Sequence, residues 1–107
     1  MSAKQLQQLE RRMKRIKEGL QRIGPMRPGS LTRQFKDPQR KVGAYWQISY
    51  TRQRKSRTEY VRQEWVAEIR WQIAALKRFK RLVDQWVDLS IEHSQLTMRM
   101  AIPQVAT

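Results

Sequence analysis

The residues best suited to bind a ligand cluster at one predicted turn. Four cations fall within six positions between two segments typical of β-strands: Arg52, Arg54, Lys55 and Arg57. Basic side chains at an exposed turn can converge on phosphates without a large desolvation cost, and a two-stranded ribbon fits the major groove of B-form DNA. We expect Tyr45 and Tyr50 to lie beside these cations, and Tyr45, on the outer face of the ribbon, would stack on a base or bond a phosphate. The alternative is a solvated turn whose charges protect a sheet edge.

Two further groups of cations lie on predicted helices. On the second helix, Arg81 and its neighbour Lys80 are spaced for ion pairs with Asp84, which leaves Lys77 and Arg78 without a partner. The group on the first helix is Arg11, Arg12, Lys14 and Arg15. Together with the predicted turn, these groups would contact several phosphates and give binding a steep salt dependence.

The charge balance indicates a polyanionic partner. Among 107 residues, 23 Lys and Arg stand against nine Asp and Glu, for a formal net charge of +14. Residues 1–83 hold 22 of the basic side chains and six of the acidic ones, whereas residues 84–107 are slightly acidic. Such a field attracts polyanions, and nucleic acid is the commonest polyanion for a basic domain. The composition therefore favours DNA or RNA as a partner over a charge that serves solubility alone.

Little in the sequence supports catalysis. There is no cysteine, a single histidine and no glycine-rich phosphate loop. Asp84, Asp88 and Glu92 follow one another at helical spacing beside His93. A metal site could be built from such a row, but a solvated acidic edge that complements basic residues is the favoured interpretation. We therefore expect no enzyme, no cofactor, no metal and no small-molecule substrate.

The sequence also carries no segment that indicates a membrane. The N-terminus lacks the apolar stretch of a signal peptide, and no run approaches 18 consecutive apolar residues. We therefore expect a cytoplasmic or nucleoid-associated protein with no membrane partner.

Residues 1–24 predict a basic amphipathic helix that ends at Gly24-Pro25. Its apolar residues step by three and four positions in an unbroken a/d seam. The members of this seam are Leu6, Leu9, Met13, Ile16, Leu20 and Ile23. The seam would serve self-association or docking on a larger protein; the alternative is that it packs on the long helix of its own chain.

The middle of the chain predicts a linker and a β-hairpin. Residues 25–43 read as a turn-rich linker and polar loop, within which residues 31–35 form a possible short strand. Residues 44–51 alternate apolar and polar side chains, and residues 56–61 are typical of a return strand. The apolar face of this hairpin, led by Trp46 and Ile48, should lie on the start of the following helix near Val66, Ile69 and Ile73.

The stretch from Glu64 to Met98 contains neither Gly nor Pro and predicts one long helix. Its apolar stripe drifts around the helix, which indicates that the first half packs on one partner and the second half on another. We expect residues 44–98 to form the compact domain and residues 99–107 to be a frayed tail.

Several short motifs resemble a family of small uncharacterised bacterial proteins. They are Gly29-Ser30-Leu31, Gly43-Ala44-Tyr45-Trp46 and the run from Lys55 to Val61, followed by the long helix. That family, often encoded beside transposases, has a "GSL" start, a "GPY" strand, a "GKT…YV" return strand and a cysteine cluster between the first two. This chain has no cysteine there, and its "GKT" position reads Lys55-Ser56-Arg57. The resemblance implies a mobile-element setting and DNA contact, without a metal-stapled loop.

The sequence therefore predicts an α+β fold with an N-terminal amphipathic helix, a small antiparallel β-hairpin or sheet, and one long C-terminal helix. It predicts a small non-catalytic nucleic-acid-binding protein, an accessory subunit of a mobile-element or phage nucleoprotein complex. The alternative is a coiled-coil-type interaction or scaffold protein that homodimerises or docks on an acidic surface of a larger assembly. A salt-sensitive complex with nucleic acid would separate the first function from the second.

Overall fold

Two helices bracket a three-stranded antiparallel sheet along the chain. The computed structural model describes the backbone of residues 2–105 and the side chains of residues 2–101. Its elements are α1 (Ser2–Gln21), β1 (Ser30–Asp37), β2 (Val42–Arg52), β3 (Lys55–Val61), a 3₁₀ turn (Gln63–Trp65) and α2 (Val66–Val105). The strands lie in the order β1-β2-β3. The predicted α+β fold, with its N-terminal helix, small sheet and long final helix, is confirmed.

The chain divides into two compact units. The helical unit comprises Met1–Ile23 and Arg78–Thr107, and the sheet unit comprises Gly24–Lys77. The predicted division was different, because it placed residues 44–98 in one domain and residues 1–24 apart from it. Helix α2 contributes to both units because its apolar stripe changes face, as the drift of that stripe predicted.

The apolar seam of α1 packs within the helical unit. Leu9 is buried with Leu89 and Leu96 of α2, and Leu6, Met13 and Ile16 pack against this cluster. The three- and four-residue spacing places these side chains on one face of α1, which is the face that α2 covers.

Of the two interpretations of the seam, this packing supports the one within the chain. Leu9 is buried, and Leu6, Met13 and Ile16 are partly buried against the same cluster. The last two members of the seam, Leu20 and Ile23, are half-buried and lie outside that cluster. Packing on the long helix of the same chain, the alternative interpretation, is confirmed.

The sheet unit is built around Ile48, whose side chain is completely buried. Ile48 forms a cluster with Val61 and Val66, against which Leu31, Trp46, Ile69 and Ile73 pack. The expected docking of the hairpin on the start of α2 is confirmed. Strand pairing explains the burial, because β1 and β3 flank the middle of β2 and leave Ile48 between Leu31 and Glu59.

The segment expected to be a linker and loop, residues 25–43, contains a full strand. β1 runs from Ser30 to Asp37 and pairs with β2 along its length, so the possible short strand at 31–35 is both present and longer. β2 accordingly begins at Val42 rather than at Ala44. The remainder of the linker is anchored to α2, since the backbone N–H of Arg27 donates to the carbonyl of Gln72 at 3.2 Å.

Helix α2 is longer than the sequence indicated. It begins at Val66 after the 3₁₀ turn and continues to Val105, a length of 40 residues or about 60 Å. Residues 99–105 of the expected tail are therefore helical, while residues 106 and 107 lie outside the described residues. Among the described residues, no helix combines the length and the apolar character needed to span a membrane.

Candidate nucleic-acid interface

The β2–β3 hairpin closes through a two-residue turn, Gln53-Arg54. Arg52 pairs directly with Lys55, so only two residues link the strands. The predicted strands, 44–51 and 56–61, left four residues between them. Gln53 and Arg54 have φ angles of 53° and 65°, in the left-handed region that a type I′ hairpin turn requires at both central positions. Asn and Gly usually occupy these positions because side chains such as Gln and Arg are strained there. The turn is therefore tight and holds its charged residues on a defined backbone.

The four cations at this turn, Arg52, Arg54, Lys55 and Arg57, are all exposed, and we name them the tip cations. No carboxylate of the described residues lies within 4 Å of any of them. Arg52 and Lys55 face each other across the strands, an arrangement that destabilises a hairpin when both side chains carry the same charge. In the part of the chain that the structure describes, the predicted cations thus come together without a direct ion pair at 4 Å or less, although Arg57 interacts electrostatically with Glu59, two residues along β3.

Tyr45 does not belong to this group. It lies seven residues from Arg52 along β2, which corresponds to about 23 Å at the usual strand rise. It also faces the opposite side of the sheet, because Arg52 shares the face of Trp46 and Ile48. The prediction that Tyr45 lies beside the tip cations is wrong, although its position on the outer face is confirmed.

Tyr50 is instead part of a cluster that anchors the linker. Arg27 donates to the Glu59 carboxylate at 2.6 Å, and its guanidinium lies 5.1 Å from the centroid of the Tyr50 ring. A hydrogen bond from Tyr50, followed by the Arg27 contact, lowers the pKa of Glu59, and the same hydrogen bond raises the pKa of Tyr50. Gly29, with φ of 130°, brings the linker so close to Ile48 that a Cβ at this position would clash with it. These contacts fix the backbone next to the tip.

The opposite side of the sheet was not singled out by the sequence analysis, apart from Tyr45. Twelve residues of the three strands alternate onto it, of which Lys36 is charged and Gly43 has no side chain. We name the other ten, which are all uncharged, the outer face: Ser30, Thr32, Gln34, Tyr45, Gln47, Ser49, Thr51, Ser56, Thr58 and Tyr60. The period-two run of hydroxyl, amide and tyrosine side chains was visible in the sequence and was the signal that could have found this face.

The predicted cations of α2 fall on either side of the boundary between the units. Lys77 ends the sheet unit, whereas Arg78 and Arg81 belong to the helical unit. All three are exposed. The ion pair expected between Arg81 and Asp84 is not formed at 4 Å or less among the described residues, nor is that between Lys80 and Asp84.

The predicted cations of α1 are also exposed but have acidic neighbours. Arg12 and Arg15 line one groove of the helical unit together with Asp88 and Glu92. Arg11 and Lys14 are exposed and do not line that groove. The acidic row on α2 thus lies near basic residues of its own chain, although no ion pair of 4 Å or less joins these groups among the described residues.

The acidic row itself is not assembled into a metal site. No group of three or more His, Asp or Glu side chains suited to a metal ion occurs among the described residues. His93 instead lies 3.4 Å from Glu10 of α1, at hydrogen-bond distance.

One known protein family matches the chain. A family model described as a domain of unknown function, DUF6788, matches residues 6–70, more than half of the chain. The chain belongs to the DUF6788 family. The match covers most of α1, the whole sheet and the first turn of α2, so the hairpin tip and the outer face both lie within the DUF6788 region. No curated protein and no solved structure matches the chain.

Proposed function

We propose that this DUF6788 protein binds nucleic acid and that the tip cations grip its phosphates. The observation that carries the proposal is the exposure of four cations on a two-residue turn, without a carboxylate within 4 Å among the described residues. Exposed cations lose little hydration when they meet an exposed phosphate, and each contact releases a counterion from the polyanion. A narrow two-stranded ribbon also reaches into a major groove.

The tip combines two features that lower the stability of the free protein. Arg52 faces Lys55 across the strands, and Gln53 and Arg54 hold left-handed backbone angles. Strained backbone conformations cluster at functional sites, so their presence beside like-charge repulsion supports a binding role for the tip. A polyanion bound at the tip would relieve the repulsion.

The wider role that we propose is that of a non-catalytic accessory subunit in a mobile-element or phage nucleoprotein complex, located in the cytoplasm. The mobile-element setting depends on the resemblance of Gly29-Ser30-Leu31 and the two hairpin strands to the family described above. Lys77, Arg78, Arg81 and the α1 cations would add secondary phosphate contacts. Among the α1 residues we expect more from Arg11 and Lys14 than from Arg12 and Arg15, which share a groove with carboxylates.

The test is fluorescence polarisation with a short labelled DNA duplex, titrated from low to high salt. A variant with Ala at all four tip cations should lose affinity, and the slope of log K against log salt should flatten by about 3 to 4. The matched control replaces Arg52, Arg54 and Arg57 by Lys, which keeps the charge and should retain most of the affinity. Equal affinity and equal slope for the wild type and the Ala variant would refute the proposal.

A second candidate function, homodimer formation, is favoured by three exposed apolar residues in a row on α2: Val87, Ile91 and Met98. The row lies away from Leu89 and Leu96, which α1 covers. An antiparallel pairing of two α2 helices about Ile91 would set Asp84 of one copy opposite Met98 of the other, next to Arg99, so that opposite charges would lie near each other at both ends of the row. An Ile91→Arg variant that stays monomeric where the wild type sediments as a dimer would support this function; a monomeric wild type would exclude it.

A further inference from the structure

The outer face is unusual for an exposed surface of this protein. It presents ten uncharged residues on three strands, while the whole chain carries 32 charged side chains. Its side chains offer hydroxyl, amide and tyrosine groups, which can hydrogen-bond or stack on a ligand without supplying charge. The face therefore suits a ligand part that is itself neutral and flat.

Two tyrosines give this face the means to bind flat rings. Tyr60 is 67% exposed and Tyr45 is half-buried. Because Tyr60 pairs with Gln47, Tyr45 lies at the diagonal position on the neighbouring strand, about 7–8 Å away. Two aromatic side chains at this separation can each support one base of an extended strand.

The polar side chains around the tyrosines can read or hold base edges. Gln47 lies beside both tyrosines, and Gln34 pairs with Tyr45; their amides offer donors and acceptors at once. Closer to the tip, cross-strand hydrogen bonds join Ser49 to Thr58 at 3.3 Å and Thr51 to Ser56 at 3.2 Å. These bonds keep the face level and leave its hydroxyls as acceptors and donors for a ligand.

Cations stand at both ends of the face but not on it. At one end, Lys36 and Arg62 continue the outer-face alternation of β1 and β3. Lys36 lies over Gly43, where a Cβ would approach its side chain to 3.0 Å. At the other end is Arg54 of the tip. A strand of nucleic acid laid along the face would meet charges for its phosphates at the two ends and neutral side chains for its bases between them.

We propose that the outer face binds unpaired nucleobases of a single-stranded nucleic acid, stacked on Tyr45 and Tyr60. The inference rests on the proposed function and specifies its ligand. A duplex presents phosphates outside and keeps its bases paired inside, so it can use the tip but not a neutral, aromatic face. Exposed bases, in contrast, stack on aromatic rings with little dependence on sequence.

The test compares a labelled oligo(dT) strand, a labelled oligo(U) strand and the DNA duplex in salt titrations. Replacing both tyrosines by Ala should weaken single-strand binding by at least about tenfold at every salt concentration, because stacking is lost. The salt slope should stay unchanged, since no phosphate contact is removed. Duplex binding should not change. A Tyr45→Phe, Tyr60→Phe variant should restore single-strand binding, because it keeps both rings.

Trp71→Ala supplies a matched control, since Trp71 is 73% exposed, belongs to the sheet unit and lies on α2. It should leave single-strand affinity unchanged. In addition, irradiating the complex with an oligonucleotide that carries 5-iodouracil should attach it to peptides containing Tyr45 or Tyr60. Stronger binding of oligo(U) than of oligo(dT) would identify RNA as the ligand, weaker binding would identify single-stranded DNA, and equal binding would identify a single strand of either sugar.

The outcomes separate this inference from the proposed function. If the duplex binds and depends on the tip cations, but the tyrosine variants change nothing and crosslinks fall elsewhere, the outer-face inference is overturned and the proposed function stands. If Trp71→Ala is as harmful as the tyrosine pair, the inference is likewise overturned. If no nucleic acid binds the wild type, both fail, and a protein partner on the outer face would replace them.

Discussion

The helical unit and the sheet unit carry nearly the same charge but use it differently. The helical unit has 11 Lys and Arg against five Asp and Glu, and the sheet unit has 12 against four. In the helical unit, Arg12 and Arg15 share a groove with Asp88 and Glu92. In the sheet unit, the tip cations have no carboxylate within 4 Å among the described residues. The sheet unit also pairs Arg27 with Glu59, Arg40 with Asp37 and Arg62 with Glu64, so the difference between the units lies at the tip, where four exposed cations are gathered on one turn.

The units also differ in what holds them together. The helical unit depends on the side-chain seam between α1 and α2, in which the most buried residue is Leu89. The sheet unit has two strand ladders, a completely buried Ile48 and a linker fastened by Arg27 and Gly29. The hairpin tip is therefore held on a well-braced backbone, and the sheet unit is the one that we expect to carry function.

The largest predicted effect is on stability, and it distinguishes the core of the sheet unit from the core of the helical unit. Ile48→Ala should lower the free energy of unfolding by about 3 to 4 kcal/mol, because it leaves a cavity at a fully buried site. Leu9→Ala, at a residue 8% exposed, should cost about 2 to 3 kcal/mol. Hydrogen exchange should show faster exchange of sheet-unit amides in the first variant and of helical-unit amides in the second. Uniform acceleration in both variants would mean that the two units unfold together.

The second prediction compares the cations directly. A variant with Ala at Arg11, Arg12, Lys14 and Arg15 loses the same four charges as the tip variant. We expect the tip variant to weaken duplex binding by about 10²-fold or more at low salt, and the α1 variant by no more than about tenfold. Fluorescence polarisation on both variants at one salt concentration gives the comparison. Equal losses would mean that net charge, rather than its placement, determines affinity.

Much of this fold could be predicted because its signals are local. The a/d spacing from Leu6 to Ile16 predicted the apolar face of a helix, and the alternation around Trp46 and Ile48 predicted a strand. β1 was underestimated because the turn residues on both sides of it resemble a linker, and only its pairing with β2 stabilises it over its full length. The sequence alone does not identify the packing partner of the α1 seam, because the spacing of apolar residues is the same whether the seam packs on its own chain or on another.

The site was predicted less well than the fold. The tip cations are neighbours in sequence, so local reasoning grouped them correctly. Tyr45 was wrongly expected beside them, because that expectation ignored the length of the strand between Tyr45 and Arg52 and the alternation of its side chains between the two faces. The contact of Arg27 with Glu59 joins residues 32 positions apart, and no local sequence pattern predicts it.

The third prediction concerns the strained turn. Replacing Gln53-Arg54 by Asn-Gly should raise stability by about 1 kcal/mol, because these residues accept left-handed angles. It should also weaken duplex binding modestly, since one tip cation is lost. The matched control is Lys41→Gly, at a left-handed residue (φ 55°) in the β1–β2 loop. This variant loses one charge as well and should gain stability, but it should leave affinity nearly unchanged.

Thermal unfolding and polarisation on the two turn variants decide the result. Stabilisation in both, with weaker binding in the Asn-Gly variant alone, would separate strain from binding at the tip. If Lys41→Gly weakened binding equally, the loss would follow from net charge. If neither variant gained stability, the left-handed residues would not be a source of strain.

The smallest predicted effect is a pH dependence of the sheet unit. The folded state lowers the pKa of Glu59 below its ordinary value of 4.5, first through the hydrogen bond from Tyr50 and then through Arg27. A carboxylate with a lowered pKa stabilises the folded state above its unfolded pKa, and this contribution is lost as the pH falls through the folded value. Because Glu59 is about half exposed, the contribution should be well below 1 kcal/mol. The melting temperature of the wild type should therefore exceed that of Glu59→Gln slightly at neutral pH, and the difference should shrink as the pH falls from 4.5 through the lowered pKa of Glu59. A difference that does not shrink with falling pH would show that Glu59 acts through packing, and the linker would then be held by Gly29 and the Arg27 backbone hydrogen bond without help from charge.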